Sequence, residues 1–221
     1  MAIREGYEGE LDEAFSRACE QLERWESYLP EDNFPEPDSQ WAADDTAVDQ
    51  KMPSSELARL ALISGTENLQ LARRTLEDRR GMPYVLALNG PIRTAVLAGS
   101  YAIWLASPEA AQRIANQYQA QHEFHRNFAN YLSSHAKVTD PDEVQEILDF
   151  EKHERERISF YRTARAGMGT THKTSDTDII KYSTSLVLSA ANALTVQSHW
   201  QLLSGDAHAL GWPLILSLIH I

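Results

Sequence analysis

The sequence predicts an all-α protein: an antiparallel helical bundle of about five helices, preceded by an N-terminal amphipathic helix on an acidic linker. Three observations carry this expectation. Apolar residues recur at three- and four-residue steps in one segment after another. Residues that start and stop helices punctuate the chain at short intervals. No segment shows the strict alternation of a half-buried strand, and no internal repeat occurs.

The elements follow in order. Residues 8–29 space Leu11, Phe15, Ala18, Leu22, Trp25 and Leu29 as one helical stripe, with an outer face that is mostly Glu. Residues 30–53 carry Pro30, Pro35, Pro37 and Pro53 among many acids with no apolar period, which predicts an extended linker with Trp41 as an anchor. Ser54 or Ser55 caps a helix through about Glu77, with the stripe Leu57, Leu60, Ala61, Ser64, Asn68, Leu71. Asn89-Gly90-Pro91 starts the next helix. Its run from Ile92 to Ala106 is apolar nearly all round, as befits a central helix, and Gly99 would let a neighbour come close. Ser107-Pro108-Glu109 opens a long helix through about Ser134. Asp140-Pro141-Asp142-Glu143 combines a cap, a first-turn proline and a capping-box acid for a helix through about Arg165, which Gly167 and Gly169 break. Ser175-Asp176 opens a last helix through Leu203. Residues 54–215 thus form the predicted bundle, behind an acidic segment 1–53. Residues 216–221 resemble the translated end of a transposon-derived adapter, which places the end of the natural reading frame near Ile215.

Composition narrows the chemistry. The formal charge is -12, and residues 1–50 hold 15 Asp and Glu against 3 Lys and Arg, so the whole imbalance sits in the leader. Such an arm repels nucleic acid and anionic membrane. No apolar run is long enough to span a bilayer. The single cysteine, Cys19, permits no internal disulfide, and with an acidic start it points to the cytoplasm.

Motifs for common chemistries are missing. None of the eight histidines has an acid three residues before it, as a di-metal carboxylate bundle requires. His122 with His125, and Asp149 with His153, remain isolated pairs, so neither a metal nor a cofactor is expected. Neither the Gly-x-Ser-x-Gly elbow nor a phosphate-cradling glycine loop occurs. The cluster Arg73, Arg74, Arg79, Arg80 ends one helix, and Arg155, Arg157, Arg162, Arg165 end another whose start, Asp142, Glu143, Glu146 and Asp149, is acidic, which fits the helix dipole better than contact with RNA phosphate.

One polar corner stands out. In SHWQLLSGDAHALGWPL, Gly205 would end the last helix one turn past Trp200, with Ser204 or Asp206 bonding nearby amides. The polar run Ser64–Asn68 is its expected facing partner. Pairing Glu67 or Asn68 with His208 would satisfy groups that otherwise cost roughly 1 to 3 kcal/mol each when buried. The signature Trp200-x-x-x-Ser204-Gly205-x-x-His208 resembles that of uncharacterised actinobacterial all-helical proteins. More distantly, residues 54–213 are similar to the HEPN-type helical domains of defence and toxin systems. That resemblance implies a metal-independent ribonuclease in which Arg165 stabilises phosphorane-like charge and His172 acts as acid or base. Ala166 departs from the polar residue that commonly follows the arginine, and AGMGTT between the two reads as a glycine turn. Two readings result. The first is a non-enzymatic helical interaction module whose acidic leader binds a protein partner or a second copy. The second is a HEPN-like ribonuclease acting on RNA.

Overall fold

The computed structural model describes residues 2–28, 35–48, 53–77, 85–169 and 174–207. Among these residues there are eight α-helices and no strand: α1 (Ala2–Tyr28), α2 (Gln40–Val48), α3 (Ser54–Glu77), α4 (Val85–Leu105), α5 (Ala110–His135), α6 (Val144–Gly167), α7 (Asp176–Val187) and α8 (Ala190–Ala207). The chain is an all-α helical bundle protein, and no described helix is long and apolar enough to cross a membrane. The helices gather into two compact units. Unit 1 is Met1–Phe34, Arg59–Ala102 and Asp176–Ile221; unit 2 is Pro35–Ala58 and Ile103–Ser175.

In unit 1, α4 is central. From Pro91 to Ala102 no residue of this helix is exposed, and its residues are mostly apolar, Arg93, Thr94, Ser100 and Tyr101 excepted. α3 meets it at Gly65, where an added Cβ would lie 3.3 Å from Ala98 Cβ. Close approach therefore belongs to Gly65 and not to Gly99, beside which there is open space. α7 and α8 run antiparallel, as Thr184 accepts from Gln197 (3.2 Å) and Thr177 accepts from Trp200 Nε1 (3.4 Å). The Ser183 hydroxyl donates to the Ser100 carbonyl at 2.6 Å, tying α7 to α4. Leu22 of α1 is buried, and an ion pair between Glu23 and Arg73 at 2.8 Å joins α1 to α3.

In unit 2, α5 and α6 form an antiparallel hairpin. The turn between them is built by Asp140, whose carbonyl accepts from Glu143 N (3.0 Å) and whose Oδ1 accepts from Asp142 N (3.2 Å). No capping box forms, since Glu143 makes no side-chain cap bond. α6 ends at Gly167, and Gly169 follows with φ 72°, a left-handed conformation that glycine adopts without steric cost.

Several boundaries differ from the sequence expectation, each for a local reason. The proline-rich stretch is not extended throughout: residues 40–48 form α2, and Asp45 of this segment caps α3. Its carboxylate accepts from Ser54 N (2.8 Å), Ser55 N (3.3 Å) and the Ser55 hydroxyl (2.5 Å), so the serines are donors and the cap comes from another helix. α4 begins at Val85, with Pro91 inside it at the loss of one intrahelical bond. The expected last helix is two, because the run Tyr182 to Ser189 is rich in Ser and Thr, which compete for backbone groups. Ser183 is bonded to α4, Thr184 and Ser185 bond back to their own helix, and Ser189 Oγ accepts from Asn192 N at 3.4 Å to start α8. Gly205 does not end α8, which continues to Ala207. On α3 the buried residues are Ser54, Ser55, Leu57, Ala58, Gly65, Thr66 and Ala72, whereas Leu60 and Leu71 are exposed. Residues 216–221 lie outside the described residues.

The two helix glycines should respond with opposite signs. Gly65→Leu forces a side chain against α4 and should destabilise the protein by about 1 to 3 kcal/mol. Gly99→Ala enters open space and should stabilise it by about 0.5 to 1 kcal/mol through helix propensity. Urea unfolding midpoints of the two variants check this.

Candidate functional site

α5 determines what is buried in unit 2, and its inner face is polar. Arg113, Gln117, Gln121 and His125 follow one another at four-residue steps, so they line one side of the helix. All four are buried, together with Asn116 and Gln119, while Phe128 and Tyr131 of the same helix are exposed. These polar side chains share the buried side with Ala115, Ala120, Ala129 and Leu132.

At the start of this row, Asp44 of α2 meets Arg113. Arg113 Nη2 donates to Asp44 Oδ1 at 3.3 Å and Nε to Oδ2; Gln117 donates to Oδ2 at 3.1 Å and Gln40 to Oδ1 at 2.8 Å. Burial pushes the Asp44 carboxyl up, but these hydrogen bonds and the Arg113 charge outweigh it and hold the carboxyl below its ordinary value. Arg113 also donates to the Ser107 carbonyl at 2.9 Å, and Asn116 donates to the Trp104 carbonyl at 2.7 Å. The turn between α4 and α5 is thereby held from inside.

At the other end, His125 Nδ1 is hydrogen-bonded to Glu154 Oε2, and Arg157 donates to Glu154 Oε1 at 2.7 Å. Tyr161 stacks on the imidazole, ring centroids 5.4 Å apart and planes 6° from parallel. Burial pulls the His125 pKa down and Glu154 only partly opposes it, so the ring is held neutral with its proton donated from Nδ1. His122, one turn earlier, is lowered by burial and then by the Arg165 charge. His125 is fully buried, so in this conformation its imidazole meets no substrate. The pair is a packed internal polar contact.

The expected site residues are distributed as follows. Arg165 is buried on α6, where Nη2 donates to Gln119 Oε1 at 3.4 Å; burial lowers its pKa. His172 and His208 lie outside the described residues. Glu67 is exposed, and Asn68 donates to the Ser64 carbonyl of its own helix at 2.8 Å. Trp200 is buried, with the Arg93 guanidinium 4.5 Å from its ring centroid, and Ser204 is half-buried. The structure joins Trp200 to Arg93 and Thr177, residues that the sequence reading did not single out.

The basic clusters are largely engaged. Arg73 bonds Glu77 and Glu23, Arg155 bonds Glu151, and Arg157 bonds Glu154. Arg79 and Arg80 lie outside the described residues. Among the described residues no three His, Cys, Asp or Glu side chains come together as a metal site. No protein-family model, curated protein or solved structure matches the chain.

Two predictions follow from the α5 row. Asp44→Ala leaves Arg113 buried without its anion and should cost about 3 to 5 kcal/mol, read from chemical unfolding. The second concerns acid. His122 and His125 both have folded pKa values below the ordinary 6.5, so their neutral forms contribute stability that is complete above pH 6.5 and is lost as pH falls below it. Asp44, also lowered, keeps its contribution down to its ordinary value of 3.8 and loses it only in stronger acid. The melting temperature should therefore fall between pH 6.5 and 5, and His125→Gln should make that fall shallower. A melting temperature that is flat over this range would contradict the assignment.

Proposed function

We propose that the protein is a helical interaction module and that its acidic leading helix is a partner-binding arm. One observation carries this reading. Of the described stripe positions on α1, Phe15, Ala18, Leu22 and Trp25, only Leu22 is buried. Trp25 is 47% exposed and Tyr28, one turn on, is 67% exposed. Leu22 and the Glu23–Arg73 pair fix α1 in unit 1 and leave the aromatic end of the stripe facing water. An amphipathic helix with its apolar side uncovered and its flanks acidic suits a partner that offers an apolar groove rimmed by Lys or Arg.

The arm ends before Pro35. Asp44 and Asp45 of the following segment hold Arg113 and the start of α3, so they serve the fold. The ribonuclease reading is supported less well, since Arg165 would have to meet phosphate and its side chain is buried against Gln119.

The test is substitution of the exposed aromatics. Trp25→Glu combined with Tyr28→Glu should leave the circular dichroism spectrum unchanged and abolish capture of the proteins that wild type retains from a cell lysate. An identical set of captured proteins in the double variant overturns the role of the arm.

A further inference from the structure

The hairpin of α7 and α8, in unit 1, carries no charge at its turn. From Tyr182 to Gly205 there is no Asp, Glu, Lys or Arg, in a chain of which 24% is charged. Every residue from Ser185 to Asn192 is exposed. Leu186 is 43% exposed, Val187 58%, Leu188 37% and Leu194, early in α8, 67%. Exposed apolar side chains gathered in this way mark a surface that meets another molecule.

Three features of the hairpin select what it meets. The depth of the tip is the first. Val187 lies past exposed Lys181 by about 9 Å of helix at 1.5 Å per residue. The bond between Thr184 and Gln197 sets the pairing of the two helices, and His199 lies beyond it on the side away from the tip, as Lys181 does. The charge-free tip thus matches the roughly 5 to 10 Å by which an interfacial segment enters the boundary of headgroups and acyl chains, with a lysine left at headgroup level. The hydroxyls are the second feature, because they are turned inward. Thr184 donates to the Ile180 carbonyl (2.7 Å), Ser185 to the Tyr182 carbonyl (2.7 Å) and Thr195 to the Ala191 carbonyl (3.0 Å), while Ser189 Oγ accepts from Asn192 N (3.4 Å). Back-bonded in this way, Ser and Thr enter an apolar medium without an unmet polar group. They also leave little for the hydrogen bonds of a specific protein interface. Charge is the third. A nucleic-acid strand finds no cation here and a charged protein face finds no ion pair, whereas an acyl layer requires neither.

We infer that the turn between α7 and α8 is a lipid-docking tip that enters the outer part of one leaflet of a zwitterionic, phosphatidylcholine-type bilayer. Such docking is shallow and needs no spanning helix. The net charge of -12 directs the chain to neutral lipid in preference to anionic lipid. This surface is distinct from the leading arm and does not depend on the role given to it.

Co-sedimentation of the full chain with phosphatidylcholine vesicles tests it. Wild type should sediment with these vesicles, added salt should not release it, and replacing part of the lipid by phosphatidylglycerol should weaken binding. Val187→Asp combined with Leu194→Asp should weaken it about tenfold or more, with an unchanged circular dichroism spectrum. In a Cys19→Ala background, an environment-sensitive dye on Val187→Cys should shift to the blue on adding phosphatidylcholine vesicles, while the same dye on Ser159→Cys of α6 should not. A wild-type chain that stays in the supernatant, equal binding of the double variant, tighter binding to phosphatidylglycerol, or equal dye shifts at positions 187 and 159 overturns the inference. So does a shift at position 187 that rises with protein concentration in the absence of lipid, which would assign the tip to a second copy.

Discussion

The polar row Arg113–Gln117–Gln121–His125 is the constraint on which unit 2 depends. An arginine and a histidine are placed inside, and each must find a partner there, because an unpaired buried charge or polar group costs several kcal/mol. Asp44 answers Arg113 and Glu154 answers His125. A buried ion pair adds little net stability over a well-packed apolar pair. What it does is exclude alternatives: a one-residue rotation of α5 would leave Arg113 without its carboxylate.

Much of the remaining architecture of unit 2 follows from this row. Because Arg113 requires Asp44, a nine-residue helix forms within an acidic, proline-rich stretch that has no apolar stripe of its own. Because α2 is held there, Asp45 is in place to cap α3. Because the inner face of α5 is occupied by polar side chains, its aromatic residues are left outside. The helix thus links the interior to the surface: the same register that buries His125 leaves Phe128 and Tyr131 exposed.

Helix existence was largely legible in the sequence, and so were several ends. Ser54 and Glu77 bound α3 as expected, Ser107-Pro108-Glu109 separates α4 from α5, and the Gly167–Gly169 pair closes α6. These signals are local: a proline, a glycine or a capping side chain acts within one turn. The faces were harder to read. Polar residues at steps of four on α5 look like a solvated side, because the carboxylates that pay for their burial lie 69 residues away in Asp44 and 29 away in Glu154. α2 was missed for the same reason, since its stability comes from Arg113 and not from its own period. Of the expected site, Trp200 is buried, about two turns before the end of α8. Asn68 donates to Ser64 within α3, and Arg165 is an interior residue. The spacing 113, 117, 121, 125 was the available clue to the row, and only knowledge of a distant acid turns it from a surface into a core.

The most direct measurement of this account is hydrogen–deuterium exchange across residues 40–48. If Asp44 is clamped by Arg113 and Gln117, the α2 amides exchange slowly, with protection that rises and falls with that of α5. Exchange of residues 40–48 within seconds, at the rate of a free chain while α5 stays protected, would contradict the claim that the buried row of α5 recruits this segment into the fold.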